Sequence, residues 1–236
     1  MENISWLKIL LLSIAIIIAG YFIGNTHKNA LEYKRSVTVK GLSEREVNAD
    51  LAVWPINISL AGNDLSILKN KIESQKNQVN QFFKDQGFNE DELTMGTTNI
   101  NDAKADRYGG NPNMMAYRYF AKTEFTVRTK DIKKLQKALE TSLDLIAKGI
   151  ILESKNAWRP IEYSFSGLND LKPVMIEEAT KNARQVAEKF AKDSNSEVGK
   201  IMDAQQGLFS IFDRDQNTPF IKTVRVVSTL EYQLKD

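Results

Sequence analysis

The chain has 236 residues, 42% of them hydrophobic, with 32 basic and 30 acidic side chains and a net charge of +2. That composition is globular rather than disordered, and the near-balance of charge supplies no basic field for nucleic acid. Cysteine is absent and His27 is the single histidine, which removes thiol nucleophiles, disulfides, thiolate metal sites, Ser-His-Asp triads and most zinc sites.

Residues 9–26 form an uncharged run of eighteen. At about 1.5 Å per residue it reaches roughly 27 Å, near the thickness of a hydrocarbon core. Trp6–Ile23 is therefore expected to form one transmembrane helix. A cleavable signal needs small residues at the cleavage site. Cutting after Ala19 or Gly20 would place Ile17 or Ile18 at position −3, and the apolar run continues through Tyr21, Phe22 and Ile23. Residues 1–24 thus read as a membrane anchor or uncleaved signal and 25–35 as a tether. Residues 36–236 read as the folded domain. Lys8 stands on one side of the run and Lys28, Lys34 and Arg35 on the other, so charge does not set orientation. A single N-terminal span followed by a long polar domain places that domain in the periplasm or extracytoplasmic space.

Ser36–Lys40 alternates as a strand with Gly41 as a turn, and a longer strand follows from about Glu46 to Ala61. Its apolar parity changes across Trp54-Pro55, which predicts a bulge or an edge position. Asn63-Asp64 caps a helix carrying Leu65, Leu68, Ile72, Val79 and Phe82, and Gly87 ends it. A strand near Leu93–Ile100, a Gly/Asn/Asp-rich loop at 101–115 and a strand at Tyr117–Thr129 come next. Thr129 is the expected cap of a second helix with the stripe Ile132, Leu135, Leu139, Leu143 and Ile146, stopped by Gly149. Trp158–Gly167 holds a short strand. A third helix starts at Asn169 or Asp170, with Pro173 in its first turn and Val174, Met175, Ala179, Ala183, Val186 and Phe190 as its buried side. Strands at about Lys200–Gln205 and Thr223–Leu234 close the chain. The order predicts an α+β fold with a mixed or antiparallel sheet and three main helices, built as one compact unit. Val53–Asn101 and Phe125–Phe165 each read strand–helix–strand, which suggests a weak internal duplication.

Candidate sites are few. Asp102, Asp106 and Gly109-Gly110-Asn111 do not match a calcium-loop spacing and read as a solvated loop. Asp213-Arg214-Asp215 could hold a cation or pair internally, but reads as an exposed loop. Lys130–Lys134 reads as a solvated helix face. Glu177-Glu178 reads as helix surface, with Glu177–Lys181 at the i,i+4 spacing of an ion pair. Gly207, Leu208, Phe209, Ile211 and Phe212 form an apolar stretch that, if exposed, is a sticky interface for a second subunit or a membrane. Trp54, Trp158 and Tyr163 read as core or interface aromatics. No catalytic residue, metal or cofactor is expected, and the sequence names no small-molecule ligand.

Ser36–Leu60 (SVTVKGLSEREVNADLAVWPINISL), Tyr119–Leu139 (YFAKTEFTVRTKDIKKLQKAL), Leu171–Ile201 (LKPVMIEEATKNARQVAEKFAKDSNSEVGKI) and the closing VRVVSTLEYQL together resemble the SIMPL-domain family, also called DUF541. Its bacterial members include YggE-like exported proteins and periplasmic immunogenic proteins. Asp50 sits where that family usually has Pro-Asp, with Ala49 in place of the proline. The resemblance covers residues 36–234. It implies an α+β fold in the cell envelope without an established catalytic motif, homo-oligomeric assembly into rings or channel-like structures in some members, and a loose link to oxidative-stress tolerance. With no cysteine, only Met1, Met95, Met114, Met115, Met175 and Met202 offer sulfur for oxidation.

Overall fold

The computed structural model describes residues 10–23, 35–105, 116–152 and 160–235. Residues 10–23 form a helix, α1, whose side chains are all exposed. At about 1.5 Å per residue this described stretch is roughly 21 Å long. Among the described residues no helix is long and apolar enough to cross a membrane. The expected span from Trp6 starts at residues outside the described set.

The rest is α+β, divided into two compact units made of interleaved segments. The described residues of Met1–Arg45, Asn169–Ile211 and Thr223–Asp236 form the first unit, and those of Glu46–Leu168 and Phe212–Lys222 the second. The sequence reads as a single unit because no linker separates the two. The strands β1 (Ser36–Asn48) and β8 (Ile221–Lys235) themselves carry the chain across the divide.

The second unit is a four-stranded sheet ordered β3 (Leu93–Asp102), β4 (Tyr119–Thr129), β2 (Leu51–Gly62) and β5 (Glu162–Ser164). All three pairings are antiparallel. The helices α2 (Leu65–Asp85), α3 (Ile132–Thr141) and α4 (Asp144–Ala147) complete it. The two strand–helix–strand segments exchange partners: β2 and β4 pair at the centre, β3 joins β4 and β5 joins β2.

Alternation decides which face of β2 is buried. Ala52, Trp54, Ile56 and Ile58 face a core that also takes Phe125 and Val127 from β4, Val79, Phe82 and Phe83 from α2, and Leu135 and Ala138 from α3. Phe83 sits edge-on to Trp54, Phe82 and Phe88 at centroid distances of 5.6, 5.2 and 5.3 Å. Such pairs add about 0.5–1.5 kcal/mol beyond area burial. The expected parity change and bulge at Pro55 are not present: the β2–β4 register runs unbroken from Ala52↔Thr129 to Gly62↔Tyr119. Because β5 reaches only Val53, Pro55 stands just past its end, where that side of β2 is an edge that tolerates proline. The irregularity lies in β3, between Met95 and Thr98.

The expected second helix is interrupted. Thr141 Oγ1 donates to Lys137 O at 3.0 Å and Ser142 Oγ to Leu139 O at 2.7 Å, hydroxyl back-bonds that compete with helix propagation. The chain turns there, so Leu145 and Ile150 are buried while Leu143 (68%) and Ile146 (53%) are exposed. The cap is Asp131, which accepts from Lys134 N at 3.0 Å. Thr129, the expected cap, instead bonds Asp131 N and Glu92. Gly87 (φ +84°) and Gly149 (φ +75°) follow the helices as predicted, in the left-handed conformation that glycine adopts without a Cβ penalty.

In the first unit, β1, β8 and β6 (Glu197–Gln206) lie in that order, and β7 (Ser210–Asp213) also pairs with β8. Helix α5 (Leu168–Asp193) lies on this sheet. Its buried line is Met175, Ala179, Ala183, Ala187 and Ala191 at strict i+4 spacing. Val174, Val186 and Phe190, expected inside, are exposed. Small side chains face the sheet because the two backbones nearly touch. Gly41, expected in a turn, lies inside β1, and a Cβ there would sit 1.8 Å from Ala179 O. Pro173 falls in the second turn of α5, because the helix begins at Leu168.

Candidate functional site

The second unit carries a cleft of about 1130 Å³ at the β5 edge of its sheet. Helix α3 supplies Gln136, Leu139 and Glu140, β5 supplies Glu162 and Tyr163, and the segment 213–222 supplies Asp213, Asn217, Phe220 and Lys222.

Three residues of pairing would hold β5 weakly. Asp50, just before β2, fixes it. Its N–H donates to Ser164 O at 2.9 Å. Its carboxylate accepts from Ser166 N–H at 2.8 and 3.0 Å and from Ser166 Oγ at 2.7 Å. Burial works against ionisation of Asp50, yet these bonds outweigh it and hold the carboxyl below its usual range. So anchored, Tyr163 pairs with Ala52 and points toward the core side, while Glu162 pairs with Val53 and alternates to the other face.

The opposite wall is set by local hydrogen bonds. Phe220 O accepts from Ala49 N–H at 2.8 Å, and the Phe220 ring lies edge-on to Tyr163 with centroids 6.2 Å apart. Asp215 caps its own turn, accepting from Asn217 N–H and Thr218 N–H at 2.8 Å each. Thr218 Oγ1 and the Arg214 guanidinium bond the same carboxylate, and its pKa falls to about 2. Arg214 also reaches Glu46 at 3.2 Å. Asp213, Arg214 and Asp215 are exposed, as expected, and Arg214 pairs with Asp215 at 3.1 Å. Lys222, 7% exposed, has its ammonium bonded by Asp213. Burial raises the Tyr163 phenol above its ordinary pKa of 10.0. The cleft offers two aromatic rings, amides and carboxylates. Its one buried lysine is already paired with Asp213.

A neighbouring hollow of about 570 Å³ shares Gln136 and Phe220 with the cleft and adds Lys130, Asp131, Ile132 and Lys133.

Among the other expected sites, Asp102 is taken by Arg118, with contacts of 2.8 to 3.1 Å. Residues 106–115 lie outside the described set, as does Trp158. Glu178, rather than Glu177, makes the helix-surface contacts, bonding Ser43 Oγ at 3.0 Å and Arg45 at 3.2 Å. Arg184 pairs with Glu188 at 2.9 Å, and the Glu177–Lys181 pair is not formed. Within the apolar stretch, Leu208 is 95% exposed, Ile211 and Phe212 are exposed, and Gly207 and Phe209 are half-buried. The cleft was missed in the sequence because its second wall reads as a polar loop. Its one signal was Pro219-Phe220, an apolar pair closing that loop.

The model of the SIMPL family, described as a protein of unknown function (DUF541), matches residues 37–226. The chain belongs to that family. No curated protein matches it.

Proposed function

We propose that the chain is a non-catalytic, membrane-tethered protein of the cell envelope whose second unit captures a small ligand in the β5-edge cleft. The observation that carries this reading is the cleft itself: a concave site with a half-buried aromatic pair and a few polar groups is a usual form of ligand site. Lys222, the one buried lysine of the cleft, is paired to Asp213 and makes no contact with a hydroxyl nucleophile among the described residues, which favours binding over Ser-Lys hydrolysis. Tethering is supported by α1, an apolar helix whose every described side chain is exposed, and by the eighteen-residue uncharged run of the sequence. The direct test is thermal unfolding of the full chain in detergent against small-molecule panels. A ligand at a hundred times its Kd stabilises by about 2.7 kcal/mol, roughly 5–11 °C for a chain of this size. The shift should disappear in Tyr163→Leu. A panel without any shift would remove the reading.

Self-association is the second reading, and one observation favours it. β6 is an edge strand with Ile201 and Met202 exposed, followed by Leu208 at the surface. Unpaired edges and exposed apolar loops are where copies join, and a membrane tether raises effective concentration. Light scattering should give a defined multimer for the full chain, reduced by Leu208→Asp. A monomer at high concentration would exclude it. A role in stress tolerance fits either reading through the family resemblance alone.

A further inference from the structure

Helix α3 lines both the cleft and the neighbouring hollow, and the basic and acidic residues it contributes to their lining stand at opposite ends. Lys133, Gln136 and Glu140 are spaced i, i+3 and i+7, so they share one helix face. The other charged lining residues are largely committed. Asp213 and Lys222 neutralise each other, and Asp131 caps the helix through Lys134 N–H. What remains on this face is Lys130 and Lys133 at the N-terminal end and Glu140 at the other, with Phe220 and Tyr163 as the apolar wall; Glu162 lies on the opposite face of β5. Seven residues at 1.5 Å each separate Lys133 from Glu140 by about 10 Å along the axis. The helix dipole points the same way: its positive end lies beside the lysines and its negative end beside Glu140.

We infer that the two hollows form one binding groove for a short zwitterionic peptide of about three residues. An extended chain spans about 3.3–3.6 Å per residue, so three residues match the charge separation. The peptide carboxylate lies at Lys130 and Lys133 and at the N-terminal end of α3. The peptide ammonium lies at Glu140. A central apolar side chain rests on Phe220 and Tyr163, and Gln136 supplies an amide between the two ends. This deepens the ligand-capture reading and rests on it.

The test uses the full chain in detergent micelles and the tripeptide Ala-Phe-Ala as probe, measured by calorimetry. Acetylating the amino end, and separately amidating the carboxyl end, should each weaken binding about fivefold, the scale of one partly exposed ion pair. Lys133→Gln should reduce the effect of amidation and leave that of acetylation. Glu140→Gln should do the converse. Both residues are exposed, so the variants should fold as the parent does. Binding of Ala-Phe-Ala that ignores both caps would overturn the peptide assignment while leaving ligand capture intact. So would no peptide binding alongside binding of small aromatic or sugar fragments that Tyr163→Leu removes. If neither peptide nor fragments bind, both readings fall.

Discussion

Gly41→Ala is expected to destabilise the first unit by about 3 kcal/mol, the upper end of what overpacking costs. The reason is geometric. The added Cβ would lie 1.8 Å from Ala179 O, 2.5 Å from Ala183 N and 2.9 Å from Ala179 C. All three are backbone atoms of α5, so no side chain can swing aside. The helix must lift, and lifting it opens the seam where Ala183 and Ala187 pack against Val39, Leu230 and Tyr232. Dispersion contacts fall off steeply with separation, so a small displacement weakens the whole seam. For a chain of this size the loss corresponds to roughly 6–12 °C in Tm. Gly62→Ala is the control: its Cβ would meet only Leu68 side-chain atoms at 3.7 and 3.8 Å and Asp64 O at 4.0 Å, which is ordinary contact, and its Tm should move by less than about 2 °C. Equal effects from the two substitutions would show that glycine's backbone freedom, and not the close approach of α5, is what matters at position 41.

That seam also marks where sequence reading stops. Gly41 after an alternating run looks like a turn, and nothing local distinguishes it from a glycine whose purpose is to admit a helix from more than a hundred residues away. The same contact misleads the reading of α5. Val174, Val186 and Phe190 are its large apolar residues and read as the buried face, yet the geometry accepts only the alanine line. α2 was legible because its packing follows from size: Leu68, Ile72, Val79 and Phe82 are both apolar and inside. The break after Thr141 was written in the sequence as Thr141-Ser142, two hydroxyl residues in succession, but the apolar stripe running through them outweighed that signal. At the cleft, β5 and Tyr163 were readable as a short alternating strand. The segment that completes the site was not, because Asp215, Asn217 and Thr218 spend their polarity on their own turn.

Glu92→Gln is expected to cost about 2–3 kcal/mol at neutral pH, with a loss that fades in acid. Among the described residues, Glu92 and Lys134 form the ion pair in which both side chains are most covered: each is 18% exposed and the atoms are 2.6 Å apart. Glu92 also accepts from Asn89 N–H at 2.9 Å and from Thr129 Oγ1. Lys134 reaches Gly87 O at 3.3 Å and stands 4.6 Å over the Phe88 ring. The pair thus ties α3 to the end of α2 and the start of β3. Glutamine keeps the shape but leaves the lysine charge without its counter-ion, the costly way to break such a pair. Burial opposes ionisation of Glu92, and the bonds from Lys134, Thr129 and Asn89 outweigh it, so its carboxyl titrates below the ordinary 4.5. A folded-state pKa below the unfolded value means that the stabilisation is complete above about pH 4.5 and is lost as pH falls through the folded value. Denaturant unfolding of the parent and Glu92→Gln should therefore differ most at pH 7 and converge toward pH 3, where the protonated carboxyl resembles the amide. Thr129→Val, which removes one neutral donor, should cost about 1 kcal/mol and leave that convergence in place. A parent–variant gap that stays constant from pH 7 to pH 3 would assign the contribution of Glu92 to packing, not charge.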